Sequence, residues 1–184
     1  MPNHVYNILE CDTNIKKVKA FVKSKQSKLD FNQIMPMPQE LKDTTSPSPK
    51  PNKKLISVFG YDNWYDWCCH NWGTKWNAYD IINDNPDCIC FNTAWSAPIP
   101  VILKLSEIFP KITFTLKYAD EDLGQNCGTV TFKNGMIIEE QDGDLAFACE
   151  LHGVECKKCT ECGQEFSDWE AEDKCYDCLN KETN

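Results

Sequence analysis

KITFTLKY, residues 111–118, decides the fold. Ile112, Phe114, Leu116 and Tyr118 alternate with Lys111, Thr113, Thr115 and Lys117. That two-residue period belongs to a strand with one buried and one wet face. Downstream, Gly128–Lys133 and Met136–Glu140 flank Asn134-Gly135, a dipeptide that closes a two-residue hairpin because both positions tolerate positive φ. Upstream, Ile102, Leu105 and Phe109 stripe a helix over 99–109, which Pro110 stops. Ala78–Ile82 and Cys88–Ala94 are strand-like runs around the turn NDNPD. At the start, His4–Cys11 (HVYNILEC) predicts a strand. A helix follows over 14–26, with Ile15, Val18, Phe21 and Val22 inward and Lys16, Lys17, Lys19 and Lys23 mostly opposite. The order β-α-β-β-α-β predicts an α+β, ferredoxin-like fold: an antiparallel sheet with both helices on one face, plus an extra β-hairpin.

Residues 31–76 interrupt that order as an insert. FNQIMPMP is extended, and the proline-rich KDTTSPSPKPNKK (42–54) predicts an irregular connection. Residues 62–76 predict a helix capped near Asp62 or Asn63 and stopped at Gly73, with Trp64, Trp67, Cys68 and Trp72 inward. The expected division is 1–148 for the ferredoxin-like domain and 149–184 for a small C-terminal module.

That module carries the sharpest chemistry. Cys159-Thr-Glu-Cys162-Gly163 is followed, twelve residues on, by Cys175-Tyr-Asp-Cys178. Four thiolates in two short knuckles suit tetrahedral Zn²⁺, with iron in a rubredoxin-like site as the minor alternative. Four sulfurs leave no open position, so the site reads as a structural zinc ribbon. Cys156 also forms a C-x-x-C with Cys159 and is the alternative ligand. The other eight of the 12 cysteines read as reduced, mostly buried side chains, because no signal-peptide pattern opens the chain. The expected setting is a reducing cytoplasm.

Charge is distributed unevenly. The formal net charge is −9 and arginine is absent; residues 1–60 hold ten lysines against five acids, the remainder nine against 23. Such a chain opposes non-specific phosphate binding over most of its length. Acids gather at Asp120, Glu121 and Asp122, and again at Glu139, Glu140, Asp142 and Asp144. Trp64, Trp67, Trp72 and Trp76 are either core or a partner-binding platform. Cys68-Cys69-His70 sets thiol and imidazole side by side in sequence, yet helical neighbours point apart. No phosphate-binding glycine loop or hydrolase motif occurs.

MPNHVYNILE, FNQIMPMP, NWGTKWNAYD, FNTAWSAPIPVILKLSEIFP and ITFTLKYADED together resemble the YubB-type ferredoxin-like domain family of bacteriophages and conjugative plasmids, over about residues 1–140. The resemblance implies the same α+β fold and a mobile-element origin, and supplies no catalytic residues. The expected function is a non-enzymatic protein that binds and modulates a host component, of the anti-CRISPR or anti-restriction kind, through its acidic surface. One rival is a nucleic-acid- or nucleotide-binding protein using the lysines over 16–28, Lys53, Lys54 and the tryptophans. The other is a small enzyme around Cys68, His70 or the acid clusters.

Overall fold

A computed structural model describes residues 3–13, 15–82, 85–167 and 173–181. Strand β1 (His4–Cys11) lies in the middle of a six-stranded antiparallel sheet. On one side it pairs with β3 (Cys88–Ala94), which pairs with β2 (Tyr79–Ile82). On the other it pairs with β4 (Thr113–Asp120), followed by β5 (Cys127–Lys133) and β6 (Met136–Asp142). The order β2-β3-β1-β4-β5-β6 is the ferredoxin-like sheet extended by one hairpin. Leu9 sits opposite both Ile89 and Leu116, so alternate residues of three strands point to one face.

That face bears Leu9, Ile89, Phe91, Phe114, Leu116, Val130 and Phe132, all buried. The crossover helices α1 (Lys16–Val22) and α5 (Ile99–Ile108) cover it with Val18, Val22, Val101, Ile102 and Leu105. Helix α1 is shorter than the apolar spacing predicts: Lys23 is already extended, with ψ of 135°. Proline near the start of α5 costs it nothing, since the first-turn amides have no intrahelical partner.

The insert is more ordered than its prolines suggest. It forms α2 (Gln39–Lys42), α3 (Lys53–Phe59) and α4 (Trp64–Asn71). Helix α3 begins where the Asn52 side chain accepts from the Lys54 and Leu55 amides and ends at Gly60, whose φ is 81°. These two caps outweigh the proline run before them. Helix α4 starts at the expected Asn63 cap, which accepts from the Asp66 amide.

Helix α6 (Leu145–His152) was not apparent in the sequence. Asp144 caps it by accepting from the Phe147 amide. Its Phe147, Ala148 and Leu151 cover Ala119 and Cys127 on the sheet face opposite α1 and α5. The helix runs through the expected 148/149 boundary and ties the C-terminal module to the sheet.

Asp30 fastens the insert to the β2 end of the sheet. Its Oδ1 accepts from the Asn32 amide (3.0 Å), the Asn32 side chain (3.0 Å) and the Asn77 side chain (2.7 Å). Burial pushes this carboxyl up, but those bonds together outweigh it and hold it below the usual aspartate range. A lowered carboxyl stabilises the fold above the unfolded pKa of about 3.9 and loses that contribution as pH falls through the folded value. Asp30→Asn is therefore expected to cost about 2 kcal/mol at pH 7. It also flattens the acid limb of stability, read by urea unfolding between about pH 5 and pH 3. An unchanged acid limb would refute this role.

Candidate metal centre and interaction surfaces

The C-terminal module begins with a small hairpin, β7 (Lys157–Lys158) and β8 (Glu165–Phe166). At its tip Gly163 takes φ of 75° and donates to the Cys159 carbonyl, while the Cys159 amide donates to Gln164. This turn folds Cys159 and Cys162 toward one point. The second pair stands at the start of α7 (Tyr176–Lys181), where the Cys178 and Leu179 amides donate to the Cys175 carbonyl. The Thr160 amide and hydroxyl both donate to the Asp173 carbonyl and clamp the two halves together. Residues 168–172, within the spacer, lie outside the described residues.

The Sγ atoms of Cys159, Cys162, Cys175 and Cys178 all lie within 4.8 Å of one another. Cys162 and Cys175 are 3.7 Å apart. A tetrahedron with metal–sulfur bonds of 2.3 Å has edges of about 3.8 Å, so the sulfurs are spaced for one ion. Phe166 closes the cluster, and three of the four cysteines are buried. The Cys159 thiol drops to about 6, chiefly because the Cys162 and Cys175 amides point at its sulfur. Burial and the neighbouring sulfurs push Cys178 the other way. The amides thus hold one thiolate, and a soft cation would complete the charge balance for the rest. Cys156 stands apart from this set, beside Cys149 of α6, whose thiol is raised by burial and then by Cys156.

The proposed interaction residues fall into different environments. Glu121, Asp122 and Asp144 are exposed, as are Glu139, Glu140 and Asp142 along β6. Asp120 is not available for contact, which corrects the sequence expectation. It is buried, and its carboxylate accepts from Asn3, Asn126 and the Asp122 amide. It closes the turn after β4 and cannot face a partner. Trp67 and Trp72 are likewise core, packed edge to face at 5.5 Å, with the Trp72 indole donating to the Met35 carbonyl. Trp64 is half-buried, and Trp76 is 39% exposed.

Sequence reasoning missed where Trp76 points. Its ring, with Trp95 and Tyr65, surrounds the Lys75 ammonium at 4.7, 4.6 and 5.9 Å. Trp95 is 42% exposed and adopts φ of 74°, a conformation few bulky residues take. A dense polar frame holds it there. Thr74 exchanges hydrogen bonds with Ala94, Ser96 donates to the Gly73 carbonyl, and Asn126 donates to the Trp95 carbonyl. Trp95 lies outside the tryptophan-rich segment, so linear spacing gave no sign of this aromatic box.

Cys68 and His70 take different partners. The Cys68 thiol is directed at the Met37 sulfur, and burial pushes it up to about 12. The His70 ring packs instead against Tyr61. The positive side of the molecule includes a shallow basin of about 800 Å³ whose lining includes Lys23, Lys25, Lys42 and Asn32. Among the described residues, no helix is long and apolar enough to cross a membrane.

These features define a ferredoxin-like α+β domain with a four-cysteine cluster fit for a metal. Residues 71–179 match the family described as the ferredoxin-like domain in Api92-like protein, and the chain belongs to that family. Among solved structures, the crystal structure of a protein Api92 from Yersinia pseudotuberculosis is similar at 18% identity, with a TM-score of 0.39. The likeness covers 46% of this chain and 32% of that one, so the chain spans about a third of that protein's length. No curated protein matches the chain.

Proposed function

We propose that this chain is a non-enzymatic binding protein of a phage or plasmid that docks on a basic surface of a host protein in the bacterial cytoplasm. Its chemistry suits an anti-defence inhibitor, which would occupy a cationic nucleic-acid channel with carboxylates in place of phosphates. The carrying observation is the row of Glu139, Glu140 and Asp142 exposed on a strand at the edge of a rigid sheet, with Asp144 just beyond. Carboxylates on a paired strand keep fixed spacings, as a charge mimic requires. The YubB-type resemblance supports the mobile-element setting. The four-sulfur cluster is assigned to structural Zn²⁺, which prefers this donor set and spacing. The basin beside Lys23 and Lys25 supports polyanion binding as the second reading.

Capture from host lysate, with and without nuclease treatment, separates the two. The wild-type chain is expected to retain a basic protein that the E139K/E140K/D142K variant releases at least tenfold more readily. Equal retention by the variant removes the acidic-surface reading. Retention that disappears on nuclease treatment transfers the assignment to nucleic acid.

A further inference from the structure

Strand β6 ends the sheet with its outer edge unpaired, and all seven of its residues are exposed. Such an edge is a template for another strand unless something blunts it. Along β6 the side chains change character halfway. Met136, Ile137 and Ile138 are 58%, 43% and 53% exposed, whereas Glu139, Glu140 and Asp142 carry charge. Ile137 stands opposite Phe132 and Glu139 opposite Thr131, so Ile138 is an extra residue that bulges the strand between its apolar and acidic halves.

Resting on the acidic-surface reading above, we infer that β6 receives an extended segment of the partner by antiparallel strand addition, and that this segment is basic toward its N-terminus and apolar toward its C-terminus. Main-chain hydrogen bonds to the open edge supply affinity that is independent of side chains, and alternate side chains supply selectivity. Charge selects the occupant. Two β6 strands paired antiparallel over their full length would set Glu139 against Glu139, and like charges directly opposite are destabilising. A lysine-bearing strand reverses the sign of that contact. The apolar half then gives the segment somewhere to bury aliphatic side chains beside Met136 and Ile137. Direction follows from the sheet, in which every neighbouring pair is antiparallel. A segment running against β6 meets Asp142 first and Met136 last.

The probe is a synthetic heptapeptide, Lys-Thr-Lys-Lys-Val-Ile-Val, titrated into the full-length, metal-replete protein at low salt. Three comparisons accompany it: the reversed sequence, the same peptide N-methylated at alternate backbone nitrogens, and the E139K/E140K/D142K variant. The expected result is at least tenfold tighter binding of the forward peptide than of either altered peptide, with slowed amide exchange confined to β6. Equal binding of the N-methylated peptide overturns strand addition. If that binding is still lost in the charge-reversed variant, the acidic-surface reading survives without it. Peptide binding unaffected by charge reversal removes both. Sedimentation showing a wild-type dimer that the peptide must displace assigns the edge to a second copy and also overturns the inference.

Discussion

Alanine at both Cys175 and Cys178 is expected to unfold hairpin β7–β8 and helix α7 and leave the six-stranded sheet standing. Among the described residues, the buried interior of hairpin β7–β8 and helix α7 is Cys159, Phe166, Cys175 and Cys178, separate from the main core. So small a module cannot offset its own chain entropy by apolar burial. Apparent binding energies for structural zinc run to about 10–16 kcal/mol at neutral pH, and most of that would be folding energy here. Metal analysis should give about one zinc per wild-type chain and close to none for the double variant. Amide protection should vanish across the module in the variant, or on adding a strong chelator, while β1, β3 and β4 stay protected. Collapse of the whole sheet, or protection of the module without metal, would each count against this account.

The second large effect lies at the centre of the main core. Phe114 is fully buried on β4, and its ring meets Phe109 at 6.5 Å, which in turn meets Phe21 edge to face at 5.3 Å. Phe114→Ala leaves a cavity between sheet and α5 that a stiff strand cannot close. It is expected to cost about 3–5 kcal/mol in urea unfolding. Stabilities of single domains run to about 5–15 kcal/mol, so one ring carries a large share. Ile138→Ser on the exposed edge should shift stability by about 0.5 kcal/mol at most. Similar losses for the two variants would mean that the core is not where the packing places it.

Much of this architecture follows from periodicity. KITFTLKY alternates because β4 has one dry face, and Asn134-Gly135 makes its turn with φ of 50° and 72°. Those signals are local, so one sequence displays them. The cysteine knuckles are legible for the same reason, since ligand spacing is set by a turn of a few residues. Less visible were the elements whose identity depends on distant partners. Helix α6 is eight residues long, and its apolar side is defined by Ala119 and Cys127, more than fifteen residues upstream. Asp120 looked like one of three surface acids, and only Asn3 and Asn126 converging on it reveal a structural carboxylate. Likewise Trp72 and Trp76 are four residues apart, yet one is core and the other faces water, because the chain leaves its helix at Gly73 between them.

The position of β1 has a consequence for how the chain is made. Strand β1 is central in the sheet and precedes both of its neighbours, which begin at Cys88 and Thr113. At roughly 5–20 residues per second, β1 waits several seconds or more before its first hydrogen-bonded neighbour exists. Throughout that interval Val5 and Leu9, later fully buried, travel exposed on an unpaired strand. Strand β1 therefore stays unpaired while the whole insert and the first crossover are made, an interval in which a nascent-chain chaperone has reason to cover it.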